Sequence, residues 1–257
     1  MVRGMELFRG FFQDFHDHFT LIGGTACDLH LKDLGGFRAT KDIDILVLLE
    51  RMNREFATRF HQFLVNGRYQ CYVSHDGKRH FYRFIKPADT NYPSQIELLS
   101  RTLFPRQPGV IFSPLAADDY IRSMSAIVLG DAYYHYATAH RVVLDGLPCL
   151  DQEALIVFKT AAYLNLRQQQ VERPKSVRGY DLKKHRNDVF RLLATLSPDS
   201  RPVVPDDILA TLRDFISSFP DDSPEWPAII QALGLPGLSA ENLRRSFIAT
   251  FALPPTS

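Results

Sequence analysis

The spacing of hydrophobic positions predicts alternating helices and strands in the first part of the chain. Residues 5–18 place five apolar side chains, mostly phenylalanines, at helical spacing, which predicts an amphipathic helix. The apolar run over residues 19–22 predicts a short buried strand that ends at Gly23-Gly24. Because threonine often caps helices, Thr25 predicts a new helix over residues 26 to about 32.

A second strand is predicted over residues 42–49, with aspartates on one face at its start and apolar residues further on. The other elements predicted for this half are a helix over 52–65, strands over 80–86 and 95–100, and a hairpin over 141–150 that turns at Asp145-Gly146.

After Asp151 the periodicity becomes helical throughout. Helices are predicted over residues 151–170, 181–196, 205–219 and 226–234, with proline-rich breaks between them. The sequence therefore predicts an α+β fold. A domain over residues 1–150, with a small mixed β-sheet and flanking helices, precedes an all-helical domain over residues 151–257, and 257 residues are enough for two modest domains.

The composition is that of a globular protein, and the net charge of the whole chain does not indicate a binding partner. Thirty Lys and Arg against 29 Asp and Glu leave a net charge of +1, and 45% apolar residues are typical of a globular chain. Three cysteines fit neither a disulfide framework nor a zinc site. Charge near the N-terminus argues against a secretory signal, and no apolar stretch reaches the length of a membrane span. We expect a soluble, cytoplasmic protein that does not associate with membranes.

Charge is uneven along the helical half. Residues 159–191 contain nine Lys and Arg against three acidic residues, whereas residues 197–226 contain seven acidic residues against two arginines. A basic stretch of this kind is equally consistent with a surface for an anionic partner and with a solvated helical face.

The Asp-Ile-Asp run at the start of the second strand is the first candidate for chemistry. Alternate residues of a strand point to one face, so Asp42 and Asp44 are expected side by side. Adjacent carboxylates repel each other unless a cation lies between them, and Mg²⁺ prefers carboxylate oxygens. The alternative is a solvated strand end.

The glycine pair is the second candidate. A strand, two glycines and a helix that opens with Thr25 allow a phosphate chain to approach the backbone and the partial positive charge of the helix N-terminus. The spacing is not that of a Walker loop, and an ordinary tight strand–helix connection is the alternative.

The glycine pair followed by a helix, and then the Asp-Ile-Asp run on the next strand, resemble the motif of the nucleotidyltransferase superfamily with the DNA polymerase β-like fold. Gly-Gly-Thr-Ala at 23–26 and Arg-Ala-Thr-Lys-Asp-Ile-Asp at 38–44 are similar to the AbiEii/AbiGii toxin branch. Two segments in the helical half agree with that branch: a helical lysine, Lys159, and the run Lys184 to Asp188, with His185 where aspartate is more usual.

The resemblance implies a role for each candidate residue. Gly23, Gly24 and Thr25 would hold the phosphates of an NTP, and Asp42 and Asp44 would hold one or two Mg²⁺ ions. The superfamily also implies a third carboxylate on a neighbouring strand, for which Glu97 is the candidate; it would complete the metal site or help to deprotonate the acceptor hydroxyl. The alternative is an outward-facing glutamate on an edge strand. Lys159 would neutralise the triphosphate, with Arg38 or Lys41 assisting. Lys184 and Asp188 would lie near the site or form a structural i,i+4 pair.

Two further segments have competing interpretations. Asp118-Asp119 is a rival acidic pair, although acidic residues in that position are typical of a helix cap. The aromatic run 133–136 is consistent with stacking on a base, but more typical of a segment that is half core and half surface.

The resemblance implies a Mg²⁺-dependent nucleotidyltransferase that moves NMP from an NTP to an acceptor hydroxyl. It further implies a toxin of a type IV toxin–antitoxin or phage-defence system, with a cognate antitoxin and tRNA as one acceptor. Two alternatives stay open: an enzyme that nucleotidylates a protein, and a catalytically silent module that binds nucleotide or a partner.

Overall fold

The chain divides into two compact units, Met1–Leu150 and Asp151–Ser257, and each is described by itself. The computed structural model describes residues 2–32, 40–73, 79–101, 112–114, 125–174 and 178–254.

Unit 1, Met1–Leu150, combines helices with one mixed sheet. Its helices are α1 (Met5–Phe11), α2 (Gly23–Leu31), α3 (Arg54–Asn66) and α4 (Asp131–Ala139). Its strands are β1 (Phe19–Ile22), β2 (Asp42–Val47), β3 (Gln70–Val73), β4 (Arg79–Ile85), β5 (Gln95–Ser100), β6 (Phe112–Pro114), β7 (Ser125–Val128), β8 (Arg141–Leu144) and β9 (Leu147–Leu150).

The strand order places β2 and β5 inside the sheet. The order is β3-β4-β5-β2-β1-β9-β8, and β7 pairs with both β5 and β6. β2 runs antiparallel to β1 and parallel to β5, while β4 runs antiparallel to β5. A parallel pair needs a long crossover, and here the chain between β2 and β5 contains α3, β3 and β4.

An aromatic core covers one face of the sheet. Ile43 and Ile96 are paired in register, and Phe84 pairs with Ile96 on the other side. The Phe60 ring of α3 lies 6.1 Å from the Phe84 ring, so α3 packs on this face. Alternation along β2 and β5 then turns the polar residues between these positions to the opposite face. Further phenylalanines from α1, α3 and β1 fill the core: Phe8, Phe12, Phe19, Phe56 and Phe63.

Unit 2, Asp151–Ser257, is helical throughout its described residues. Its helices are α5 (Gln152–Glu172), α6 (Gly179–Leu193), α7 (Asp206–Ser217), α8 (Trp226–Leu233) and α9 (Ala240–Thr250). A cluster of buried aromatic rings joins them: Tyr163, Phe190, Phe215, Phe219, Trp226 and Phe247.

The predicted α+β class is confirmed, and most elements lie close to where the sequence predicts them. The hairpin turns at Asp145-Gly146, both with positive φ, as a tight two-residue turn requires. Five of the strands and helices given above were not predicted: β3, β6, β7, α4 and α9. β3 is a four-residue strand at the sheet edge, and α4 is rich in tyrosine, a residue that favours strands as much as helices.

Two predicted helix boundaries were wrong. The helix predicted over 5–18 ends at Phe11, and successive turns bring Phe15 into the core without helical backbone. α2 begins at Gly23 rather than Ala26, so Thr25 is not its cap but lies in its first turn. Within the described ranges, no helix combines the length and apolar character that crossing a membrane requires.

Candidate functional site

The aspartates at the start of β2 lie on the face of the sheet opposite the aromatic core. Asp42 and Asp44 are each half-buried, whereas Ile43 between them is fully buried. The polar–apolar alternation of β2 therefore presents two carboxylates side by side at one end of an internal strand.

The parallel pairing of β2 with β5 places Glu97 next to these aspartates. Glu97 is in register with Asp44, and Gln95 with Asp42. Residues in register on neighbouring strands face the same side, so Asp42, Asp44 and Glu97 share one face of the sheet. β5 is flanked by β2 and β4 at this position and is not an edge strand.

The carboxylates of Asp42 and Asp44 repel negative charge on Glu97. Burial raises the pKa of Glu97 to about 7, and the negative charges of Asp44 and Asp42 add to this effect, while Arg83 acts in the opposite direction. A carboxyl group whose pKa lies near 7 can accept or release a proton at physiological pH.

Two side chains at neighbouring positions contact Glu97, Arg83 as an ion pair and Gln95 as a hydrogen-bond donor, and the sequence predicted neither contact. Arg83 of β4 is in register with Glu97, and its Nε lies 2.7 Å from Glu97 Oε1. Gln95 donates from Nε2 to the same oxygen at 2.7 Å. The sequence predicts the strand that carries Arg83 but not its register. Nothing in the sequence distinguishes Arg83 from the other basic residues of that segment, such as Arg79 and Lys86.

Gly23 joins the carboxylate face to the start of α2. Its φ is +66°, and a Cβ added there would overlap the Asp44 carboxylate and lie 3.0 Å from Asp44 Cγ. The last residue of β1, Ile22, is in register with Asp44, which brings the strand–helix junction against β2. Only glycine meets both conditions, since it tolerates positive φ and has no side chain to clash with the carboxylate.

Thr25 and Gly24 complete the junction. Both are buried, and the Thr25 hydroxyl donates to the backbone carbonyl of Asp42 at 2.6 Å. This bond ties the first turn of α2 to the start of β2. The first amides of a helix have no partner within that helix, so the N-terminus of α2 presents donors and partial positive charge beside Asp42 and Asp44.

The donor set suits a hard cation, although no preformed three-ligand site is present among the described residues. Asp42 and Asp44 supply oxygen ligands on one face, as Mg²⁺ requires. Asp44 and Asp42 repel the negative charge of Glu97, and a cation bound between these carboxylates would relieve that repulsion. The Glu97 carboxylate is engaged by Arg83 and Gln95.

The basic candidates in unit 1 lie close in sequence to β2. Lys41 is exposed and immediately precedes β2. Arg38 lies outside the described residues, and so does the rival pair Asp118-Asp119.

The candidates in unit 2 form a buried ion pair. Lys159 on α5 and Asp188 on α6 are 4% and 5% exposed, and Lys159 Nζ donates to Asp188 Oδ2 at 2.8 Å. Lys184 lies half-buried one turn before Asp188 on α6, and so does His185. The Asp188 carboxylate thus links α6 to α5, which the i,i+4 spacing with Lys184 did not predict.

Much of the basic stretch 159–191 is engaged within unit 2. Besides Lys159, Arg186 pairs with Glu225, and Arg167 and Arg191 bond to Ser218 and the Ala232 carbonyl. The exposed basic residues among those described in this stretch include Arg173, Arg178 and Lys183.

The aromatic run 133–136 lies on α4. Tyr134 and Tyr136 are buried, and the Tyr134 hydroxyl donates to Glu50 at 2.5 Å while accepting from the Leu49 amide. Because their rings are packed inside unit 1, neither tyrosine offers a surface on which a base could stack.

A remote similarity to a solved structure was found. A crystal structure of an antigenic nucleotidyltransferase-like protein from Paracoccidioides brasiliensis is similar to this chain, with a TM-score of 0.42 and 14% sequence identity over 84% of each chain. No family model and no curated protein matches the sequence. The fold class is established by the strand order and helices described above.

Proposed function

We propose that this chain is a divalent-metal-dependent nucleotidyltransferase that transfers NMP from an NTP to an acceptor hydroxyl. The observation that carries the proposal is the Gly23 junction, where the start of a helix meets the Asp44 carboxylate so closely that no Cβ fits between them. The N-terminus of α2, which can bind an anion, therefore lies next to the carboxylates of Asp42 and Asp44, which can bind a cation. A complex of a metal ion with a nucleotide needs both kinds of contact.

Each residue of the junction has a role in this proposal. The first amides of α2, opened by Gly23 and Gly24, bind the β- and γ-phosphates. Asp42 and Asp44 would hold Mg²⁺, which would neutralise charge on the phosphate oxygens. The acceptor oxygen attacks the α-phosphorus, the bond to the α,β-bridging oxygen breaks, and pyrophosphate leaves. Glu97, with its pKa raised to about 7, takes the proton of the acceptor hydroxyl. Positioning and charge neutralisation account for most of such catalysis.

The finer assignment follows from the resemblance to the AbiEii/AbiGii branch. We propose a toxin-type enzyme with a cognate antitoxin and an RNA acceptor such as tRNA, for which Arg173, Arg178 and Lys183 supply exposed positive charge. A protein hydroxyl is the alternative acceptor, and Lys41, exposed immediately before β2, is the candidate within unit 1 for a contact with the nucleotide.

A second candidate function is a silent module that binds nucleotide without transferring it. The observation that favours it is the engagement of Glu97 by Arg83 and Gln95, which leaves no ready three-carboxylate site in the described part of the chain.

The test is incubation with each α-labelled NTP, Mg²⁺, total tRNA and cell lysate. We expect label on a macromolecule from the wild-type protein, and none from Asp42→Ala/Asp44→Ala. The matched control is Asp206→Ala/Asp207→Ala, which removes two exposed aspartates from the first turn of α7 and is expected to label normally. Equal labelling by both double variants would refute the assigned site. Metal-dependent NTP binding without pyrophosphate release would favour the silent module.

A further inference from the structure

Glu97 lies between a cation and an anion on neighbouring strands. On one side Arg83 of β4 is in register with it, and on the other side Asp44 of β2 is. The Arg83 Nε is 2.7 Å from Glu97 Oε1, and the Gln95 amide nitrogen is 2.7 Å from the same oxygen. Both contacts come from the side chains of sheet residues, so they are built into the strand register.

Arg83 is itself positioned by its surroundings. Its guanidinium carbon lies 5.0 Å from the centroid of the Tyr72 ring on β3, and its side chain is 32% exposed against 15% for Glu97. The Nε group is buried and is not aligned to donate a hydrogen bond, although it is in ion-pair contact. The pairing is therefore held mainly by charge and stacking, which a stronger cation can displace.

Pairing with Arg83 and ligation of a cation make opposing demands on this carboxylate. Glu97 Oε1 uses its lone pairs for the contacts with the Arg83 guanidinium and the Gln95 amide, and a metal ion bound at this oxygen would need the same lone pairs.

We propose that Arg83 is a positioning residue that stands in for the divalent cation: it holds Glu97 while Asp42 and Asp44 carry no metal, and it must release Glu97 when the metal binds. This inference rests on the proposed function, because it takes the two aspartates as metal ligands, and it further assigns Glu97 to the same metal site. It adds to that function a residue, Arg83, that opposes metal binding and thereby raises the concentration of divalent cation at which the site is filled.

The experiment measures Mn²⁺ binding without nucleotide, at pH 8.0, by the electron paramagnetic resonance signal of free Mn²⁺. Arg83→Met removes the charge and keeps a side chain that can pack on Tyr72. We expect it to bind Mn²⁺ about tenfold more tightly than the wild type. This is the size, with the opposite sign, of the smaller losses that follow when a residue supporting a metal ligand is removed. Arg83→Lys retains a cation and is expected to restore an affinity near that of the wild type.

A double-mutant cycle separates release of Glu97 from general repulsion. In a Glu97→Gln background, Arg83→Met is expected to give no gain, because there is no carboxylate to release. An equal gain in both backgrounds would show that Arg83 only repels the cation at a distance, and would overturn the inference.

The matched control is Arg101→Met. Arg101 also pairs with a glutamate, Glu50, but follows β5 four residues beyond Glu97, about 13 Å away at about 3.3 Å per residue. It is expected to leave the Mn²⁺ affinity unchanged, and circular dichroism checks that each variant folds.

The outcomes distinguish this inference from the proposed function. If the wild type binds Mn²⁺ through Asp42 and Asp44 but Arg83→Met binds no more tightly, only the role of Arg83 is overturned. If neither protein binds Mn²⁺, the metal site is refuted and the inference with it. Binding that appears only in Arg83→Met supports the inference in its strongest form.

Discussion

Replacing Gly23 with alanine is expected to destabilise unit 1 and disturb the carboxylate face at the same time. The backbone at Gly23 has φ +66°, and the new methyl group would overlap the Asp44 carboxylate and lie 3.0 Å from its Cγ. The neighbour is a side chain, so Asp44 can turn aside, but only by leaving the position from which it would bind a cation.

The expected cost has two parts. A non-glycine residue in left-handed backbone costs about 1–2 kcal/mol. Forcing the Asp44 side chain away from its preferred rotamer adds about 0.5–1.5 kcal/mol. Gly23→Ala should therefore lower the free energy of unfolding by about 1.5–3.5 kcal/mol.

The control is Gly146→Ala in the same unit. Gly146 has φ +69°, but an added Cβ would meet only Arg9 Cδ, at 3.7 Å, an ordinary contact. It should lose only the backbone part, about 1–2 kcal/mol. Urea unfolding measures both losses, and a Mn²⁺ titration measures the site: Gly23→Ala should bind Mn²⁺ more weakly, and Gly146→Ala as the wild type does.

A double variant tests whether Asp44 is the cause. In an Asp44→Ala background the extra cost of Gly23→Ala over Gly146→Ala should disappear, because the carboxylate is gone. If Gly23→Ala loses no more stability than Gly146→Ala and binds Mn²⁺ like the wild type, Gly23 does not position Asp44.

Two further predictions concern buried charge. Since the pKa of Glu97 is raised from its ordinary value of 4.5 to about 7, the folded protein keeps a proton that the unfolded chain has released, so stability should fall as pH rises from about 4.5 to about 7 and level off above. Urea unfolding in EDTA checks this, and the slope should be absent in Glu97→Gln. Lys159→Ala should lower stability by about 3–5 kcal/mol by stranding the Asp188 carboxylate. Arg245→Ala, from a pair 70% and 72% exposed, should cost less than about 1 kcal/mol; equal losses would contradict the argument.

Local patterns determined the elements that carry the candidate site. The strands Phe19–Ile22 and Gln95–Ser100 are confirmed to the residue, and the placement of Asp42 and Asp44 on one face follows from the two-residue period of a strand. The Gly23-Gly24 pair also marks the junction of β1 with α2, although the helix begins earlier than its sequence suggests. These properties depend on a few neighbouring residues, which is why the sequence alone predicts them.

Only the tertiary structure decided which strands pair and in which register. The parallel pairing of β2 with β5 puts Glu97 beside Asp44, and the antiparallel pairing of β4 with β5 puts Arg83 against Glu97. In the same way, the packing of α5 on α6 pairs Lys159 with Asp188 across 29 positions of the sequence. Register is set by burial of a whole sheet face and by the closure of long connections, and neither is encoded in the residues that eventually meet.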